Sequence, residues 1–183
     1  IAEVSRDERR KAKTANFGII YGLSAFGLSE RMGVSRAEAK ALIDSYFATY
    51  PRVKAYMQES VDRARELGYI CTQFGRRRYL ADIHSRNATV RGYAERNAVN
   101  APIQGTAADI IKLAMIAIDR RLTAEGLEAK MILQVHDELN FSVPHAELER
   151  VQKLVIEEME AAFAMQVPLL AECGHGNNWL EAH

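Results

Sequence analysis

Apolar residues recur at three- and four-residue spacing along most of the first two thirds of the chain. This spacing predicts a first helix that starts near Ser5 or Asp7, either of which can cap it, and ends by Gly22. SAFGLSERMG predicts a short helix closed by Gly33. Ser35 and Glu38 form a capping-box pattern ahead of a third helix. Pro51 opens a fourth, a position where its missing N–H is no loss, and Gly68 ends it. Two stretches alternate instead, with the period of a strand. YICTQF, GRR and RYL predict a hairpin turning at Gly75. In MILQVHDELNFSVP, Met131, Leu133 and Val135 precede a turn at His136-Asp137, and Leu139, Phe141 and Val143 follow it. Between the hairpins lies a long helical stretch, roughly residues 86–123. Pro102 should kink it, because the ring crowds the carbonyl of Ala98. ELERVQKLVIEEMEAAF is an amphipathic helix, and VPLLAECG is expected to add a last strand. The order predicts an α+β fold, mostly helical.

Composition sets bounds on this picture. A length of 183 residues suits one domain, or one domain with part of another. Hydrophobic residues at 48% and charged residues at 26% are ordinary for a globular chain. No apolar run approaches the ~20 residues of a membrane helix. The opening IAEVSRDERR has no signal-peptide core, and it lacks an initiator Met, so a cut from a longer protein is expected. Cys71 and Cys173 make neither a CxxC motif nor a disulfide framework, which fits a reducing compartment. The net charge of zero conceals a polarity. Residues 1–100 hold 18 Lys and Arg against 11 Asp and Glu, and residues 101–183 hold 6 against 13. A polyanionic partner for the first part is one reading, and chance fluctuation is the other.

RRKAKTANFGIIYG, residues 9–22, is the densest basic stretch. At ~100° per residue with Arg9 at zero, Ala15, Ile19 and Ala12 fall near 240°, 280° and 300° and make a core stripe. Arg9, Lys13, Phe17 and Tyr21 run from 0° to about 120° on another face. Aromatics on a structural helix usually share the apolar face. Here they share the cationic one, as a surface for phosphates and a flat base or sugar would. Gly18, costing about 1 kcal/mol inside a helix, would let a ligand or another chain segment approach. Solvated cations beside rings packed on a neighbouring element remain the competing explanation.

The HDE turn has two readings as well. Asp is a common turn former for local reasons. An acid at the tip of a hairpin is also well placed for Mg²⁺, which takes one or two carboxylates plus phosphate oxygens. Arg96, Asn100 and Gln104, four residues apart, could meet sugars or groove edges or form an ordinary polar face. Arg76, Arg77 and Arg78, with Arg86 and Arg91, could track a phosphate backbone or simply protect a sheet edge.

Taken in order, these motifs resemble the DNA polymerase I family, family A. RRKAKTANFGIIYG is similar to its motif B, RxxxKxxxFxxxYG. LQVHDEL is similar to motif C, and AERNAVNAPIQGTAADIIKLAM to the long palm helix with its QGTAAD signature. The resemblance spans essentially the whole chain and points to the bacterial type. It implies fingers in residues 1–70, with a nucleotide-binding helix at about 5–21, and palm in residues 71–183. It implies that Arg9 and Lys13 hold the triphosphate of a dNTP, that Phe17 lies by sugar and base, and that Tyr21 stands on the template side. It implies a metal-binding catalytic Asp137 with Glu138 nearby, and Lys13 as a proton donor to pyrophosphate. Arg96, Asn100, Gln104 and His136 would contact primer–template DNA. Two Mg²⁺ ions, no membrane, and a bacterial cytoplasmic, nucleoid-associated setting follow from the same resemblance.

One departure matters. Motif A, DYSxxELR, which carries the second metal-binding Asp, has no counterpart here. The chain alone is therefore expected to be inactive and to need the missing N-terminal part of the polymerase. A palm lacking a strand would expose a sheet edge. The alternative function is a non-catalytic nucleic-acid-binding module, suggested by the basic first part.

Overall fold

The computed structural model describes residues 4–182. Two compact units divide at Gln104 and Gly105.

The first unit begins with three helices, α1 (Arg6–Ile20), α2 (Ala25–Met32) and α3 (Arg36–Thr49). Each starts at a serine whose hydroxyl accepts from the backbone N–H of the third helical residue: Ser5 from Glu8, Ser24 from Gly27 and Ser35 from Glu38. At Ser5 and Ser35 the Glu reciprocates, so both capping boxes are complete. Ser5, rather than Asp7, is the cap of α1. Ile19, Leu28 and Ala39 form the buried centre of this group, with Met32, Val34, Ile43, Tyr46 and Phe47 packed around it.

Helix α4 (Pro51–Leu67) begins on its proline and stops at Gly68, which lies in the left-handed region. The short antiparallel strands β1 (Tyr69–Cys71) and β2 (Arg77–Tyr79) follow, with Gly75 at positive φ in the loop. A 3₁₀ turn (Ala81–His84) then leads to α5 (Ala88–Ala124). Ala64, Ile70, Leu80, Ile83, Ala94, Ala98 and Ala101 close a second core.

Helix α5 runs through Pro102 unbroken. It also corrects an expectation, for by length and composition alone it could cross a membrane. No continuous apolar run shows in the sequence because polar and charged residues such as Gln104, Asp109 and Lys112 interrupt it. Its buried residues Ala94, Ala98, Ala114, Ile118 and Leu122 sit in protein cores.

The second unit packs the rest of α5 with the hairpin β3 (Lys130–Val135) and β4 (Glu138–Ser142) and with α6 (Leu148–Ala161). Ile118 and Leu154 are fully buried at its centre. A short helix, α7 (Trp179–Ala182), lies at the end. The expected strand over VPLLAECG does not form. A strand needs a neighbour's backbone, and here side chains of α6 take that part: Glu160 accepts from the Ala171 N–H, and Gln152 donates to the Cys173 carbonyl. Val167 and Leu170 remain exposed. Arg121 on α5 bridges to Glu157 at 2.7 Å and Glu158 at 3.0 Å on α6, and to Glu125 at 2.9 Å. Arg150 joins Glu125 from α6 at 2.8 Å.

Candidate functional site

Helix α1 sorts its own cations. Asp7 takes Arg10 at 2.5 Å and Lys11 at 2.9 Å. Arg9 and Lys13 are exposed and have no ion pair among the described residues. They lie on the face that continues to Phe17 and Tyr21. Those two rings stack, with centroids 6.0 Å apart and planes 23° from parallel. They remain 52% and 42% exposed, so one ring face is partly covered by the other and much of the rest is open. The competing explanation, rings buried on a neighbouring element, is not what forms.

The core stripe is shorter than the wheel predicts. Ile19 is buried, Ala15 half-buried and Ala12 exposed, because only the last turns of α1 meet α2 and α3. Gly18 is buried among leucines rather than opened to a ligand: a Cβ there would stand 2.8 Å from Leu23 Cδ1 and 3.3 Å from Leu28 Cδ1. The helix ends in a Schellman arrangement. The Gly22 N–H donates to the Ile19 carbonyl and the Leu23 N–H to the Gly18 carbonyl, with Gly22 at φ +75°. Tyr21 is thereby fixed as the last residue before the corner.

On α5, Arg96 and Gln104 are exposed and Asn100 is half-buried. The Asn100 Oδ1 is buried without a hydrogen-bond partner among the described residues. One turn of helix back, Glu95 is held by Arg65 at 2.7 Å and Arg91 at 3.7 Å. Tyr56 on α4 donates its hydroxyl to the Val99 carbonyl at 3.1 Å, and its burial raises the phenol above its ordinary pKa. Of the other arginines, Arg77 lies over the Tyr69 ring at 4.6 Å and Arg91 donates to the Ser85 carbonyl at 2.9 Å. Those two are engaged within the fold, while Arg78 and Arg86 are exposed.

In the second unit His136 and Asp137 form the two-residue turn between β3 and β4, with Val135 opposite Glu138. His136 adopts φ +56°, the only positive value at a non-glycine among the described residues. Two-residue hairpins favour such a conformation because it matches the strand twist. The Gln134 side chain donates to the His136 carbonyl at 2.5 Å and steadies the tip. Asp137 projects from it exposed, and Glu138 is half-buried.

The alternation expected along β3 is interrupted. The register skips Ile132 between the pairs Met131–Phe141 and Leu133–Asn140. This bulge turns Leu133 and Val135 to the face opposite Met131, alongside Asn140 and Glu138. Met131, Leu139, Phe141 and Val143 pack on the core of this unit, whereas Leu133 is 49% and Ile132 65% exposed. Asn140 keeps a buried Nδ2 without a partner among the described residues. Sequence reasoning missed Asn140, which lies two positions from Glu138 on the same face of β4 and is set opposite Leu133 by the bulge in β3.

A single carboxylate at a rigid tip, with a second beside it, suits Mg²⁺, which completes its shell with water and phosphate oxygens. No cluster of three or more His, Cys, Asp or Glu able to hold a metal occurs among the described residues. The donors here fit part of a metal site.

The model of DNA polymerase family A matches residues 1–181. The chain belongs to DNA polymerase family A. It is 53% identical over 180 residues to DNA polymerase I of Streptococcus pneumoniae, covering 98% of this chain and 20% of that protein. It is 53% identical over 183 residues to DNA polymerase I of Pseudomonas aeruginosa, again covering 20% of the relative. Among solved structures, the polymerase domain of Pol1 from M. smegmatis, in complex with DNA primer-template and dNTP, matches with a TM-score of 0.95 and 46% identity. That match covers 98% of this chain and 32% of the other. This family A chain thus spans about a fifth of the length of the relatives it matches. Its mostly helical α+β architecture is that of part of a polymerase domain.

Proposed function

We propose that this chain supplies the nucleotide-gripping helix and one metal-binding carboxylate of a DNA-directed DNA polymerase. The observation that carries the reading is on α1: Asp7 neutralises Arg10 and Lys11 but leaves Arg9 and Lys13 for an outside anion, on the face that bears two half-exposed stacked rings. Family membership and the likeness to a Pol1 domain bound to primer-template and dNTP support it. In this reading residues 1–70 act as fingers and 71–183 as palm, in a bacterial cell.

The reaction is nucleotidyl transfer. The primer 3′-hydroxyl gives up its proton to water, its oxygen forms a bond to the α-phosphorus of the dNTP, the bond from that phosphorus to the bridging oxygen breaks, and pyrophosphate leaves. Arg9 and Lys13 hold the triphosphate by charge-assisted hydrogen bonds, which are stronger than neutral ones. Lys13 also donates a proton to the departing pyrophosphate. Phe17 lies against the sugar and base, and Tyr21 borders the template. Arg96, Asn100, Gln104 and His136 bind primer–template DNA. Asp137 would hold Mg²⁺, with Glu138 acting less directly. Bound there, Mg²⁺ would supply positive charge to offset the negative charge that grows on the phosphate oxygens. With motif A outside this chain, the fragment by itself is inactive.

Primer extension after joining this chain to the rest of the polymerase tests the reading. Template-directed incorporation that is lost on Asp137→Ala supports it. Full activity of Asp137→Ala, or none in the completed enzyme, refutes it.

A further inference from the structure

The corner that ends α1 touches the side chain of Arg96. Gly22 sits at φ +75°, and a Cβ on it would stand 3.2 Å from Arg96 Cγ and 3.6 Å from Cδ. The first distance is tighter than ordinary carbon contacts, so the arginine stem runs directly along the bare α-carbon. At the other end of the side chain there is more room: a Cβ on Gly92 would lie 3.5 Å from Nη1, an ordinary contact. The nearest acid in sequence, Glu95, already serves Arg65 and Arg91. Arg96 is exposed and has no ion pair among the described residues. Its stem is guided, and its charge is left for an anion.

We infer that Gly22 is a positioning residue: its missing side chain gives Arg96 a track along the end of the nucleotide-facing helix and so holds the guanidinium where primer–template DNA is bound. The inference rests on the reading of Arg96 as a DNA contact and adds what sets its place. It also gives Gly22 two separate duties. One is conformational, since the Schellman corner needs positive φ, which glycine adopts without strain. The other is steric, and only this one concerns DNA. Because Tyr21 immediately precedes the corner, the same turn sets both the ring and the guanidinium.

The two duties separate by substitution in the complete polymerase. Asparagine tolerates the left-handed conformation better than alanine but carries the same Cβ. Primer–template affinity, measured by titration of labelled DNA, is expected to fall about five- to tenfold for both Gly22→Ala and Gly22→Asn, which lies within the range of coupling between contacting residues. Thermal stability should fall more for Gly22→Ala. In an Arg96→Ala background, which lacks Cγ and Cδ, Gly22→Asn should leave affinity unchanged. Wild-type affinity in Gly22→Asn overturns the inference, as does an equal loss with and without Arg96. Wild-type affinity in Arg96→Ala instead defeats the reading of Arg96 itself, a distinguishable result.

Discussion

Phe17 and Tyr21 stack on each other one helical turn apart, 6.0 Å between ring centres, at the end of a row that begins with Arg9 and Lys13. The pairing steadies two rings that would otherwise each need a neighbour, and it leaves both half-open. The resemblance of this helix to motif B implies that Phe at position 17 goes with rejection of dideoxynucleotides and Tyr with their acceptance. Phe17→Tyr in the complete polymerase should therefore raise dideoxy relative to deoxy incorporation by at least about tenfold, or ~1.4 kcal/mol. An unchanged ratio in a chain-termination assay would remove Phe17 from the sugar.

The four clustered cations of α1 should fall into two classes. Arg9→Ala and Lys13→Ala each lose charge-assisted bonds to the nucleotide, about 1.5–3 kcal/mol, and should raise the KM for dNTP about tenfold or more. Arg10→Ala and Lys11→Ala break only exposed pairs with Asp7, which solvent leaves weak. They should leave KM near wild type. Steady-state kinetics on the four variants would show whether the classes exist; a uniform effect would mean that bulk charge is what matters.

Asp137 is exposed, and its backbone place is set by the turn. Asp137→Asn should therefore leave the melting temperature within a few degrees. It should cost at least about 10²-fold in kcat, the scale for loss of one charge-stabilising group. A variant that melts early would instead make Asp137 a turn-former first.

The α5–α6 bridge predicts an acid dependence. Arg121, ahead of Arg150, holds the Glu125 carboxyl below its ordinary value of 4.5. A carboxyl depressed in the folded state stabilises it above the unfolded pKa, and that stability is lost as pH falls through the lower folded value. Stability should thus be flat above pH 4.5 and decline below it. Arg121→Met should lower the melting temperature at neutral pH and flatten the decline. An acid profile identical to wild type would mean that other carboxylates govern it.

Much of the fold was legible because local rules were strong. Ser5 and Ser35 with their glutamates, Pro51, and the glycines at 33, 68 and 75 mark element ends through backbone geometry that no distant residue can override cheaply. The HDE turn was equally readable, since the alternation on both sides leaves two residues between the strands. Arg9, Lys13, Phe17 and Tyr21 were placed on one face by periodicity alone. The tail was misread because VPLLAECG has a strand's composition but its backbone is met by α6 side chains rather than by a strand. Leu133 was misread because a one-residue bulge inverts every later position on the strand.

The amino-acid sequence by itself determined the helices, the turns, the order of the motifs and hence the family, because these depend on neighbours along the chain. Tertiary structure decided which groups are left available. Asp7 reaches two cations and leaves two, Glu95 is claimed by Arg65 and Arg91, and the bulge at Ile132 carries Leu133 and Val135 to the side of Glu138. It also laid the stem of Arg96 along Gly22 across a gap of 74 positions (from 22 to 96) that no local pattern spans. Charge pairing and steric fit depend on distance in space, and sequence spacing fixes that distance only within a single helix or hairpin.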